Sequence, residues 1–78
     1  MLARIKMPKV AETTDTVLIE EWLVAIGDQV AVDQALASVE TDKVTVELPS
    51  PVDGRIVELL IDAGEEVRTG EQICVIET

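Results

Sequence analysis

A shift of 37 places lays one stretch of this chain over another, and that internal repeat restricts the possible folds more than any other feature. Ile19-Glu20-Glu21-Trp22-Leu23-Val24 falls on Ile56-Val57-Glu58-Leu59-Leu60-Ile61. Gly27-Asp28-Gln29-Val30 falls on Gly64-Glu65-Glu66-Val67, and Leu36 to Thr41 falls on Ile73 to Thr78. Seven positions are identical, among them Ile19/Ile56, Gly27/Gly64, Glu40/Glu77 and Thr41/Thr78, and most others exchange one aliphatic or acidic residue for another. Two equivalent halves imply a pseudo-two-fold axis relating two small antiparallel sheets.

The halves are built for strands. Val, Ile and Thr make up a third of the chain, and β-branched side chains suit pleated surfaces better than helices. No apolar run keeps helical spacing for any length. Turn signals recur at roughly 8–12 residues, as in a sandwich or barrel. Strands are expected over Arg4 to Met7, Thr16 to Ile26, Leu36 to Glu40, Val44 to Leu48, Arg55 to Ile61 and Gln72 to Ile76, with a brief strand or bend over Val30 to Asp33 and a brief strand at Val67. Pro8 closes the first, and Lys9 to Asp15 reads as a surface loop. Pro49 to Gly54 reads as a stiff connection, and Gly27, Gly54 and Gly64 as turn glycines. Around the repeated glutamates the apolar period slips from three to two. This predicts a β-bulge near Glu20-Glu21 and another near Val57-Glu58.

Composition sets the core and excludes several functions. With 78 residues this is a single domain over 1–78, in the size range where folding buries only ~60 % of the unfolded surface. Phe and Tyr are absent, so the interior is aliphatic, and Trp22 is expected to cap one end of it. Cys74, alone among Ile73, Val75 and Ile76, is expected to be a small buried thiol. A net charge of −10 argues against nucleic acid, where Lys and Arg neutralise phosphates, and equally against an anionic membrane surface. It suits solubility, or a partner with basic patches. The start of the chain has no signal-peptide pattern, and no apolar run approaches the ~18 residues of a membrane span. Histidine is absent, no cysteine or histidine cluster suggests zinc, and no nucleophile has a base beside it. An enzyme is therefore not expected.

One stretch remains for chemistry. Glu40-Thr41-Asp42-Lys43-Val44 places a lysine between Leu36–Val39 and the alternating Val44-Thr45-Val46-Glu47-Leu48. Asp42 favours turns because its side chain bonds its own backbone, so Asp42-Lys43 is expected at a hairpin corner with the amine in water. An exposed lysine is ordinarily only a solubilising charge. Here the repeat makes the corner and Thr78 symmetry mates, which sets them at opposite ends of the domain. That is the geometry of a tethered carrier.

These residues, with Met7-Pro8, Glu21-Trp22, Gly27-Asp28, Val30, Glu47, Pro49, Gly54, Gly64-Glu65 and Val67, closely resemble the lipoyl domains of 2-oxo acid dehydrogenase complexes. The resemblance runs from about Ile5 to Ile76. It implies an all-β flattened barrel, a barrel-sandwich hybrid of two four-stranded antiparallel sheets, with lipoic acid in amide linkage to Lys43. Such an arm accepts an acyl group from a thiamine-diphosphate-dependent 2-oxo acid decarboxylase. An acyltransferase domain passes that group to coenzyme A, and dihydrolipoamide dehydrogenase reoxidises the dithiol. The domain catalyses none of these steps. The resemblance further implies a lipoate-attaching enzyme as a partner, a monomeric isolated domain, and a bacterial cytoplasmic or mitochondrial matrix location.

Glu40, Asp42, Val44 and Glu47 flank the corner and are expected to take part in recognition, the acids by keeping the arm hydrated and docking basic partner residues. By resemblance the loop from Val10 to Thr16 lies beside Lys43, with Glu12, Thr13, Thr14 and Asp15 helping the decarboxylase choose its carrier. Two alternatives stay open. A biotin carrier shares this fold, although biotin domains typically flank the lysine with methionines where this chain has Asp42 and Val44. An unmodified structural adaptor is the other.

Overall fold

The computed structural model describes residues 1–8, 16–41 and 44–78. Among these described residues eight strands form: β1 (Leu2–Lys6), β2 (Thr16–Trp22), β3 (Gln29–Val30), β4 (Ala35–Glu40), β5 (Thr45–Pro49), β6 (Gly54–Leu59), β7 (Glu66–Arg68) and β8 (Gln72–Glu77). They make two four-stranded antiparallel sheets, ordered β1-β8-β6-β3 and β5-β4-β2-β7.

The repeat governs the backbone in detail. Adding 37 to β2, β3 and β4 gives β6, β7 and β8, and the hydrogen bonds follow. Gly27 N–H donates to the Ile56 carbonyl at 2.7 Å, and Gly64 N–H to that of Ile19 at the same distance. Leu23 N–H donates to Leu36 and Leu60 N–H to Ile73. The fourth strand of the second half is β1, supplied from the start of the chain: it pairs with β8 as β5 pairs with β4. Ser50 N–H donates to Gln34 in one half and Met7 N–H to Glu71 in the other. The pseudo-two-fold axis therefore exchanges whole sheets.

Both bulges fall where the slipped period puts them. In the β2–β4 pair the register jumps between Ile19 and Glu21, and in the β6–β8 pair between Ile56 and Glu58. The skipped residues, Glu20 and Val57, are the extra ones that let each strand coil around the core.

Strand ends depart from expectation. The second strand stops at Trp22, not Ile26, because the chain must there cross to the other sheet. Asp28 turns it, accepting the Ala25 N–H on Oδ2 at 2.9 Å while its own N–H reaches the Ala25 carbonyl at 3.0 Å. Gly27 and its mate Gly64 have φ of 97° and 91°, where a Cβ is strained. The first strand starts at Leu2, β5 starts at Thr45 and includes Pro49, and β6 ends at Leu59. Gly54 is not a turn glycine; it opens β6. At the position where the second half has Gly70, with φ of 93°, the first half has Asp33 with φ of 72°, a backbone region short polar side chains tolerate best.

The core is aliphatic and doubled like the backbone. Ile19 and Ile56, Leu36 and Ile73, Val39 and Ile76, Val30 and Val67, Leu48 and Ile5 are buried mates. Each contributes roughly 1.5–3 kcal/mol by leaving water. Trp22 packs against this cluster and donates its indole N–H to the Ile61 carbonyl at 2.7 Å, the packing role expected of it.

Cys74 has no exposed surface, and burial pushes its thiol up from 9.0 to about 11. Between those values the native state holds a proton that the unfolded chain releases. Stability is therefore indifferent to this group below pH 9, and falls by up to about 1.4 kcal/mol per pH unit above it. Urea titrations from pH 8 to pH 11 of the protein and of Cys74→Ala, which abolishes that slope, check this. Equal slopes in the two proteins would discount it.

The candidate carrier hairpin

β4 and β5 pair through Ala35↔Pro49, Ala37↔Leu48, Ser38↔Glu47, Val39↔Val46 and Glu40↔Thr45. Beyond that last pair the two strands are joined once more. Thr41 N–H donates to the Val44 carbonyl at 2.8 Å, and the Thr41 hydroxyl donates to the same oxygen at 2.8 Å. Val44 N–H returns a bond to the Thr41 Oγ1 at 3.1 Å. Only Asp42 and Lys43 lie between these two residues in the sequence, and both fall outside the described residues. So do Glu12, Thr13, Thr14 and Asp15. Thr16, which follows that loop, opens β2, and Leu18 two residues on is paired with Glu40.

Of the remaining candidates, Glu40, Val44 and Glu47 are all exposed and sit at or near the hairpin end. Glu40 stands opposite Thr45, and Glu47 two rows along, opposite Ser38, so the two acids are diagonal neighbours on the outer face of their sheet. Glu20 joins them through a 3.5 Å contact with the Ser38 hydroxyl, and Glu66 lies across Leu18 in the same row as Glu40. The equivalent outer face of the other sheet is different: Arg4 takes the place of Glu47, and Arg55 the place of Leu18. One scaffold thus carries acid beside the hairpin and mixed charge at the far end, where Arg55 is ion-paired with Glu77 at 3.2 Å. Val44 is 57 % exposed, an apolar side chain left in water although its strand mates Val46 and Leu48 turn inward.

The pseudo-symmetry sets this hairpin against the chain ends. Thr78 N–H donates to the Met1 carbonyl at 2.8 Å, as Thr41 does to Val44. β2 runs from Leu18 beside Glu40 to the crossover, after which Gln29 pairs with Arg55 and Arg55 with Glu77. Hairpin and termini therefore lie at opposite ends of a molecule 33 × 20 × 19 Å in extent. The Thr41 hydroxyl bonds were not anticipated from the residues. The signal available was the identity of Thr41 and Thr78, one of seven identical pairs in the repeat.

A doubled two-sheet sandwich, with Thr41 and Val44 bonded to each other on either side of Asp42-Lys43 in the sequence, places the chain in a class of small all-β domains. The family model described as Biotin-requiring enzyme, Biotin_lipoyl, matches residues 3–76, and the chain belongs to that family. Among solved structures, the lipoyl domain of the 2-oxoglutarate dehydrogenase complex from Azotobacter vinelandii superposes with a TM-score of 0.76 at 29 % identity, over 96 % of this chain and 95 % of that one. A urea carboxylase from Kluyveromyces lactis shares the fold at 22 % identity and a TM-score of 0.65, over 94 % of this chain and 7 % of its own. Among curated proteins, the lipoamide acyltransferase component of the branched-chain alpha-keto acid dehydrogenase complex of Pseudomonas putida is 45 % identical over 73 residues. The dihydrolipoyllysine-residue acetyltransferase component of the pyruvate dehydrogenase complex of Corynebacterium glutamicum is 46 % identical over 69. The matches take in 94 % and 88 % of this chain but only 17 % and 10 % of those relatives.

Proposed function

We propose that this chain is a lipoyl carrier domain of a 2-oxo acid dehydrogenase complex, with lipoic acid in amide linkage to Lys43. The observation that carries the reading is the hairpin: Thr41 and Val44 are bonded to each other across Asp42-Lys43, at the end of the molecule away from the termini. Such an arrangement suits a covalent arm, since flanks that are hydrogen-bonded to each other fix the backbone on either side of the attachment residue. The end-to-end likeness to a lipoyl domain and the acyltransferase components among the relatives support lipoyl over biotin. When attached, the group supplies a dithiolane that accepts an acyl unit and an electron pair together.

The chain's own part is presentation. Glu40 and Glu47, exposed on one face beside the corner, keep that end hydrated and offer docking to basic residues around partner sites. Asp42 and the loop residues Glu12, Thr13, Thr14 and Asp15 belong to the same recognition set, and exposed Val44 adds an apolar contact. The partners on this reading are a lipoate-attaching enzyme, a thiamine-dependent 2-oxo acid decarboxylase, an acyltransferase catalytic domain and dihydrolipoamide dehydrogenase. The domain acts as a monomer and catalyses none of the steps. Its place is wherever that complex works, the bacterial cytoplasm or the mitochondrial matrix.

Intact mass of the protein from its native host tests this. The mass increment of one lipoyl amide, located on Lys43 by fragmentation, is the expected result. A biotin increment or an unmodified chain would overturn it.

A further inference from the structure

The two ends of the pseudo-symmetric scaffold close in different ways, and the difference lies in one hydroxyl. At the termini, the Met1 amine donates to the Thr78 carbonyl at 3.1 Å, and Thr78 N–H donates back to the Met1 carbonyl. This is the reciprocal backbone pairing of an ordinary strand end. At the hairpin, Thr41 N–H donates to Val44 in the same way, but Val44 N–H goes to the Thr41 side chain. In a plain tight turn the carbonyl of the first residue takes that N–H. The Thr78 hydroxyl contacts the Met1 carbonyl at 3.3 Å, whereas that of Thr41 reaches the Val44 carbonyl at 2.8 Å. Thr41 is also only 9 % exposed, and its hydroxyl bonds are partly buried.

A side-chain oxygen has thus been inserted into the last rung before the corner. That rung sets the separation and orientation of the two residues between which Asp42 and Lys43 are strung. Since the bond is made by a hydroxyl, the geometry of the corner depends on the identity of residue 41 and not on the backbone alone.

We propose that the Thr41 hydroxyl is a positioning residue for modification: by holding Val44 through both its N–H and its carbonyl, it sets the frame in which the attaching enzyme finds the lysine. This rests on the carrier reading of Lys43. The attachment itself consumes ATP: the lipoate carboxylate attacks the α-phosphate, pyrophosphate leaves, and the lipoyl adenylate forms. The lysine amine then forms the C–N bond, AMP leaves, and the amine's proton passes to solvent. Reaction at one amine among several needs that amine delivered in register with the bound adenylate.

The test is lipoylation of the 78-residue protein by a lipoate–protein ligase with ATP and lipoic acid, at a temperature where circular dichroism shows every variant folded. Thr41→Val keeps the shape and removes the hydroxyl, Thr41→Ser keeps the hydroxyl, and Thr78→Val makes the same change at the far end. Expected are a fall of about tenfold in kcat/KM for Thr41→Val and changes within about twofold for the other two, since misplacement by ~1 Å can cost up to ~10²-fold. A second readout responds to framing alone. The preference for lysine at 43 over lysine at 42, measured with D42K/K43D, narrows in the Thr41→Val background. Unchanged kinetics and preference in Thr41→Val, or equal losses in Thr41→Val and Thr41→Ser, would overturn the inference and leave the carrier reading standing. A wild-type protein that takes no label at Lys43 would overturn both. Should Thr41→Val not fold, Thr41→Ala supplies the same comparison.

Discussion

Lys43→Arg protein is expected to stay at its unmodified mass after incubation with a lipoate–protein ligase, ATP and lipoic acid, while the wild type gains one lipoyl amide. Arginine keeps the positive charge, but its guanidinium holds its proton at any usable pH and offers no free amine for amide formation. On the proposed function, acylation by a 2-oxo acid decarboxylase is expected to be lost with the arm. Thermal stability is expected to remain within about 0.5 kcal/mol of wild type, because the hairpin is closed by Thr41 and Val44 and the core residues of β4 and β5 are unchanged. The measurement is intact mass alongside a melting curve. A lipoylated Lys43→Arg protein would remove Lys43 from the mechanism.

The largest effect on stability is expected at Gly54. It sits beside β8, where an added Cβ would land on the Glu77 carbonyl oxygen and within 2.6 Å of the Ile76 Cγ2. A backbone oxygen in a ladder cannot rotate away, so the sheet itself must open. Gly54→Val is expected to cost about 3 kcal/mol, the upper part of the range for overpacking. A domain of this length holds only ~4–12 kcal/mol in total. The comparison is built into the chain, since the repeat mate of Gly54 is Val17, a buried core residue in the other half. Val17→Gly should instead lose the smaller sum of one buried side chain and some strand propensity, ~2 kcal/mol. Urea midpoints of both variants measure the difference. A Gly54→Val midpoint equal to wild type would show that β6 and β8 are not as tightly joined at this point as the geometry requires.

Gly54 also marks the limit of sequence reasoning. Beside Asp53 it has the signature of a turn, and nothing local distinguishes a glycine needed for φ from one needed for close approach. The same holds for Leu23 to Ile26, whose residues continue a strand pattern. The strand ends at Trp22 because the chain must reach the opposite sheet and pair Gly27 and Asp28 with Ile56. Local pattern records which face a side chain prefers, whereas the crossover depends on where the second half lies.

Other features could be read directly. Burial imposes a period of two on a strand, so a slip in that period has to be absorbed by an extra residue. Both bulges follow, at Glu20 and Val57. An aliphatic core follows from the absence of Phe and Tyr, and the placing of hairpin against termini follows from the match of Thr41 with Thr78. The candidate site divides in the same manner. Glu40, Val44 and Glu47 were legible because they neighbour the lysine in the sequence, and their exposure follows from strand alternation and the hairpin end.

The sequence by itself determined the doubled architecture, the apolar interior and the place of Asp42-Lys43 between β4 and β5, since each is written in residue spacing and side-chain type. Tertiary structure alone decided that β1 completes the second half from the other end of the chain, that Gly54 lies against β8, and that a threonine hydroxyl closes the hairpin. Those three depend on contacts between segments or on the path of a single turn. Hydrogen bonds and van der Waals repulsion act through distance, and distance exists only once the chain has folded.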